Sequence, residues 1–169
     1  MATRQPTARI QVKPAQLQDK ALIRQLLEFN AYEFSRFDGA DLDAHGRFGY
    51  RYLDHYWTEP TRHPFLITVK AFLAGIALVR AGPPHILAEF LVMPKYRRRG
   101  VGTTAARQVF ARFLGEWEVH EVPGNDVAVQ FWRKAIPAPF SETHDDHGTT
   151  QRFAIAVKGP LQSPTKRSS

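Results

Sequence analysis

The chain reads as one α/β domain, a mixed and twisted β-sheet with helices on both faces. Three observations predict it. Apolar runs of strand length alternate with stretches of helical periodicity, the pattern of helices layered on a sheet. A basic, glycine-rich loop joins the most apolar of those runs, ILAEFLVM, to a helix. The 169 residues suffice for one core and show neither an internal repeat nor a linker to a second domain.

In chain order, residues 1–7 form a polar tail expected to be disordered. Ala8 to Lys13 alternates as a strand, and Pro14 closes it. Asp19 can cap a helix from Lys20 to Phe34, with Ala21, Leu22, Leu26, Leu27 and Phe29 as its apolar side. Ser35 to Ala44 reads as a loop, and Arg47 to Trp57, rich in aromatics, as a shorter helix. FLITV and LAGIALV form a hairpin turning at Lys70 and Ala71. After AGPPH comes the Ile86–Met93 strand, ended by Pro94, then the glycine loop and a helix from Thr103 to Leu114. WEVHEV is a further strand, parallel to Ile86–Met93 by the crossover rule. Asn125 or Asp126 caps the helix DVAVQFWRKA, which stops before Pro137. Strands near Phe140–Thr143 and Arg152–Val157 complete a domain spanning 8–158, and 159–169 form a second disordered tail.

Composition narrows the function classes. The absence of cysteine excludes disulfides, thiolate zinc sites and a cysteine nucleophile, and fits a reducing, cytoplasmic setting. No run approaches the roughly 20 apolar residues of a membrane span, and the N-terminus lacks the apolar centre of a signal peptide. The net charge of +7 makes an acidic partner plausible. Its one dense cluster, Lys95, Arg97, Arg98 and Arg99, lies in the glycine loop, where helix-terminal N–H groups and the dipole favour a phosphate. The expected ligand is a phosphorylated cofactor.

The loop Arg97-Arg98-Arg99-Gly100-Val101-Gly102 matches the cofactor signature of the GNAT superfamily of N-acetyltransferases: Gln or Arg, two residues, Gly, one residue, Gly or Ala. The preceding LVMPKYR, the later NDVAVQFW and the order of elements are similar too; Leu66 to Ile136 is well covered, and the N-terminal helices match in order and length. The resemblance implies a GNAT-like fold and an acetyl-CoA enzyme acting on the amine of a small molecule or peptide. By it, the amides from Arg98 to Thr103 would cradle the pyrophosphate, with Arg97 and Arg99 as charge partners. Phe90, Leu91 and Val92 would lie along the pantetheine arm, the backbone of Phe90 and Val92 pairing with it. Asn125 would hold the same arm, and Phe131 and Trp132 would wall it, unless they simply pack in the core.

Attack on a thioester needs a neutral amine, so a base or a deprotonating water chain is required. Glu89, the one carboxylate on the central strand, is the candidate; the alternatives are that it faces solvent or pairs with an arginine. The family's usual acid for the thiolate is a tyrosine where this chain has Trp132, and indole is no acid. Tyr50, Tyr52 or Tyr56 could serve instead, or the thiolate could leave unprotonated. The family's glycine near the end of this helix is replaced by Ala135 and Ile136. Eight of the 16 acidic residues lie between Asp19 and Glu59, interleaved with aromatics, so Tyr32, Glu33, Asp38 and Tyr56 are the expected lining of a pocket for a cationic amine. The bland reading of most of them is a solvated helix face over a buried aromatic side.

Other readings are weaker. Gly100 to Ala105 spells a dinucleotide fingerprint, with Glu121 about 20 residues on, but Pro94 and the basic run separate it from its strand. A nucleic-acid binder is favoured by charge and opposed by the acidic N-terminal half. No metal is expected: His144, Asp145, Asp146 and His147 fall in a polar turn. A hydrolase lacks its nucleophile elbow. A homodimer is compatible with the sequence, which does not fix one.

Overall fold

The computed structural model describes residues 9–156. Both expected tails, and the domain ends expected at 8 and 158, lie outside them. The strands are β1 (Ile10–Pro14), β2 (Arg62–Val69), β3 (Phe72–Arg80), β4 (His85–Val92), β5 (Gly115–Glu121), β6 (Phe140–Asp145) and β7 (Gly148–Ile155). The helices are α1 (Lys20–Asp38), α2 (His55–Thr58), α3 (Val101–Phe110) and α4 (Asp126–Ala135). One seven-stranded sheet runs in the order β1-β2-β3-β4-β5-β7-β6, and β4–β5 is its parallel pair.

The β2–β3 hairpin turns where expected. Lys70 and Ala71 both have positive φ, 50° and 69°, the backbone twist that lets a two-residue turn match its strands. At Gly75 the two central strands approach so closely that a Cβ would stand 1.9 Å from the Leu91 carbonyl oxygen. Farther along, Leu78 faces Glu89 and Val79 faces Leu87, which leaves Ala88 as an extra residue in β4. Such a bulge bends its strand. It follows at once on the last β4–β5 pair, Ile86 with Glu118.

Burial divides the core by face. Ile23, Leu26 and Leu27 of α1, with Leu53 and Tyr56, cover Ile76, Leu78 and Leu91. On the other face, Val101, Ala105, Val109 and Phe110 of α3 and Trp132 and Ala135 of α4 cover Ala77, Val79, Trp117 and Val119. The expected two-faced architecture is what these clusters build.

Strands β2 and β7 begin earlier than expected, at Arg62 and Gly148, α3 begins at Val101 rather than Thr103, and the helices differ further. Helix α1 runs to Asp38, past Phe34, and ends on Gly39 at φ 68°, a left-handed residue whose N–H bonds Ser35. The helix expected from Arg47 to Trp57 shrinks to His55–Thr58. Gly46 and Gly49 take positive φ of 72° and 74°, and the Glu28 carboxylate of α1 accepts both the Phe48 and Gly49 amides, at 2.8 and 2.9 Å, so the segment is tied down as a loop. Helix α3 ends at Phe110 rather than Leu114, and the freed Phe113 carbonyl accepts from the Trp117 indole at 2.9 Å.

Candidate active site

Beyond Ile86 and Glu118, β4 and β5 no longer pair, so the β5-side edge of β4 from Leu87 to Val92 carries main-chain groups with no strand beside them. The bulge at Ala88 explains the parting locally. Phe90, half-buried, faces the α3–α4 side, its ring 6.0 Å from Phe131 and 5.1 Å from Trp132. These contacts close one wall of the opening. Trp132 is buried in the core and Phe131 is half-buried, packed against it.

At the open end of β4, a short turn from Pro94 to Tyr96 leads into the loop. Arg98, at φ 56°, and Gly100, at φ 75°, are both left-handed, the backbone of a tight loop. Gly100 is also the N-cap residue of α3. Thr104 makes the first turn's bond, to the Gly100 carbonyl at 3.0 Å, leaving the preceding amides of Val101, Gly102 and Thr103 without intrahelical acceptors. Arg98 and Arg99 are exposed beside them. A Cβ at Gly102 would meet the Phe131 ring at 3.1 Å, so glycine is what the close approach of α3 to α4 admits. A parted strand edge leading to an anion-binding helix terminus fits a long chain that ends in a pyrophosphate.

Arg97 behaves differently from the phosphate partner expected. Its Nε donates to the Val92 carbonyl and its Nη2 to Glu33, both at 2.6 Å. The guanidinium therefore fastens α1 to the end of β4 instead of standing over the loop. It also occupies one lone pair of a carbonyl expected to pair with the pantetheine.

On the opposite face lies a cavity of about 270 Å³ lined by Tyr50, Tyr52, Arg62, Arg80, Ala88 and Glu89. Glu89 follows the bulged residue and shares its face with Leu91 and Leu78. Its Oε2 accepts from Asn30 Nδ2 of α1 at 2.8 Å. Burial pushes its carboxyl up to about 7, while the Tyr50 hydroxyl and Asn30 hold it back by favouring the charged form. It neither faces open solvent nor pairs with an arginine. Burial also raises the Tyr50 phenol, and the Glu89 charge adds to that, so Tyr50 keeps its proton across the neutral range.

A second buried carboxylate stands at the end of β5. Glu121 is 7% exposed; Trp132 Nε1 donates to its Oε1 at 2.5 Å and Asn125 Nδ2 to its Oε2 at 3.3 Å. Burial raises it to about 7, opposed by the indole bond and assisted by the Glu89 charge. A carboxyl raised in the folded state stabilises the fold below its ordinary value, and that contribution is lost as pH climbs through about 7. Glu121→Gln is therefore expected to match wild type near pH 4.5 and to melt about 5 to 10 °C higher at pH 8, from a shift worth on the order of 3 kcal/mol. Thermal melts at the two pH values check this; equal melting at pH 8 would contradict it.

The remaining expected residues scatter. Tyr32 is exposed, Glu33 serves Arg97, and Asp38 accepts the Ala40 amide at 2.9 Å beyond the end of α1. Tyr56 is buried near the cavity without lining it, with Tyr50 and Arg62 as polar neighbours. The structure thus does not gather an acidic pocket for a cationic amine; this corrects the expectation drawn from Glu33 and Asp38. Asn125 caps α4 by accepting from the Ala128 amide at 3.4 Å, besides its bond to Glu121. Asn30, Glu121, Arg62 and Arg80 had no assigned place in the site. Only Asn30 left a trace, as the one polar residue continuing the apolar stripe Ile23, Leu26, Leu27.

A sheet that opens beside a helix-terminal glycine loop, with a carboxylate on the opened strand, is the architecture of acetyl-CoA-dependent N-acetyltransferases. Residues 22–136 match the model of the Acetyltransferase (GNAT) family, and the chain belongs to that family. Solved structures agree in fold. An acetyltransferase from Thermus thermophilus superposes with a TM-score of 0.65 at 19% identity, over 86% of this chain and 96% of that one. The PaiA N-acetyltransferase from Thermoplasma acidophilum, solved in complex with coenzyme A, gives 0.63 at 12% identity over 87% and 99%. The ribosomal-protein-S18-alanine N-acetyltransferase from Escherichia coli gives 0.57 at 12% identity over 92% and 99%. Among curated protein sequences none matches the chain. The protein is a GNAT-type acetyltransferase whose cosubstrate is acetyl-CoA. Among the described residues no helix is long and apolar enough to cross a membrane.

Proposed function

We propose that the protein acetylates the amine of a small molecule or peptide by direct attack in a ternary complex, with Glu89 as general base. The observation that carries this is a partly buried carboxylate, raised to about 7, on the strand that parts from β5. When bound, acetyl-CoA supplies an acetyl thioester, an acyl group on a good leaving group. The Arg98–Thr103 amides and Asn125 would hold the cofactor's phosphate and arm, and the open edge of β4 would align it.

An alkyl ammonium with a pKa of about 10.4 is almost fully charged at neutral pH and cannot attack. Glu89 takes the proton because its own carboxyl titrates near the working pH, where a base is both partly ionised and strong enough. Asn30 fixes the direction of its lone pairs through the 2.8 Å bond. Trp132 does not act as the acid, because its indole is spent on Glu121 and holds its proton far too tightly. A thiol has a pKa of about 8.5, so the thiolate leaves without an obligatory donor. Tyr50, protonated beside Glu89, is the tyrosine best placed to donate a hydrogen bond in this region.

A chain without cysteine offers no ready acyl-enzyme. Initial rates measured at several fixed acetyl-CoA concentrations against a turned-over amine are expected to give intersecting double-reciprocal lines. Parallel lines, or acetyl transferred to the protein in the absence of amine, would overturn direct attack.

A further inference from the structure

The cavity above Glu89 carries more positive charge than its fold requires. Arg62 opens β2 and Arg80 closes β3; they stand directly opposite each other in the antiparallel register, and both line the cavity. Like charges facing across two strands destabilise a sheet. One of the pair is partly answered. Arg62 Nε donates to Glu59 at 2.7 Å, and its guanidinium lies over the Tyr52 and Tyr56 rings at 5.3 and 5.4 Å. Those contacts, with the Tyr56 hydroxyl beside it, fix the plane of the fork, whose one carboxylate partner is Glu59 among the described residues. Arg80 forms no ion pair among the described residues, and its end of the strand is exposed. The same cavity is lined by Glu89, whose carboxylate is held by Asn30 rather than by either arginine.

We propose that the acceptor amine carries a carboxylate of its own, bound by Arg62 and Arg80 while the nitrogen lies toward Glu89. An arginine fork matches a carboxylate in geometry as well as charge. Two forks and a base lining one cavity of about 270 Å³ select a small molecule with its anion a few atoms from its amine, the arrangement of a free amino acid. Glu59 already offsets part of the charge on Arg62, which favours a monoanion over a phosphate dianion. Tyr50 and Tyr52 supply the remaining wall, one phenol beside Glu89 and one ring beneath Arg62. This inference rests on Glu89 as the base and reverses the charge of the acceptor expected from Glu33 and Asp38.

The test measures release of CoA thiol from acetyl-CoA with each standard amino acid, with its carboxamide, and with O-phosphoethanolamine. At least one amino acid is expected to exceed its carboxamide by about 10-fold or more in kcat/KM, since removing the anion strands the arginine donors. Arg80→Met should erase that preference by raising KM for the amino acid, while acetyl-CoA binding stays at the wild-type level and the melting temperature does not fall, since a like-charge pair is relieved. Carboxamides used as well as the acids, a preference for the phosphate, or a ratio unmoved by Arg80→Met would overturn the carboxylate site while leaving acetyl transfer intact. Acetyl-CoA binding with no thiol released by any amine, carboxylate-free amines included, would instead overturn the transfer reading and this inference with it.

Discussion

Glu89→Gln should lower kcat at pH 7 by about 10²- to 10⁴-fold, the range a positioned general base contributes. Glutamine keeps the shape of the side chain, and its carbonyl oxygen can still accept from Asn30 Nδ2, now 2.8 Å from Glu89 Oε2. What it loses is basicity. The affinity for acetyl-CoA should stay within about twofold, because the bonds expected to hold the cofactor come from the loop and from the edge of β4, not from this side chain. A fall in kcat without a loss of cofactor binding separates chemistry from folding. Unchanged turnover in Glu89→Gln would remove the residue from the reaction.

Gly102→Trp should weaken acetyl-CoA binding by about 100-fold or more, close to 3 kcal/mol. Even a methyl group at this position would come within 3.1 Å of the Phe131 ring, and an indole cannot be placed in the first turn of α3 without displacing that ring or crowding the free amides beside it. Crowding there takes the space a pyrophosphate needs. The milder Gly102→Ala asks only for a small rotation of Phe131 and should lose less affinity at nearly wild-type melting temperature, which controls for misfolding. Titration calorimetry reads both, with NADH as a ligand that none of the forms should bind. Wild-type affinity in Gly102→Trp would place the phosphate elsewhere.

The elements most legible in sequence are those specified by local chemistry. The Lys70–Ala71 turn, the end of β4 before Pro94, the glycine loop and the Asn125 cap each follow from residues within a few positions of one another. The aromatic segment from Arg47 to Trp57 misled because Phe48, Tyr52 and Tyr56 recur every four residues, as on one face of a helix. What decided it was Glu28, some twenty residues away, holding the Phe48 and Gly49 amides. The site was legible on the cofactor side and obscure on the acceptor side for the same reason. Arg97 and Glu33, each given a ligand to bind, turn out to bind each other across 64 residues. Asn30 reaches Glu89 across 59. The juxtaposition of Arg62 and Arg80 hangs on one irregularity: an unbulged hairpin turning at Lys70 and Ala71 would place Arg62 opposite Val79, and the shift between Ile67 and Thr68 moves it to Arg80. Contacts of that kind depend on how elements dock, which pattern and propensity do not encode.

The fold also links the two buried carboxylates. Glu89 and Glu121 sit on the two strands that part, and each is raised to about 7, with the Glu89 charge contributing to the shift at Glu121. Their removal should have opposite consequences: losing Glu121 relieves a burial cost, whereas losing Glu89 removes the base.

The most direct measurement is the pH dependence of kcat/KM for an accepted amine at saturating acetyl-CoA, in wild type, Glu89→Gln and Glu121→Gln. A base with a raised carboxyl is inactive when protonated, so the wild-type rate should rise with pH through an ionisation near 7. That limb should persist in Glu121→Gln and vanish in Glu89→Gln, whose residual rate follows only the ionisation of the amine. The same limb in Glu89→Gln as in wild type would contradict general-base catalysis by Glu89.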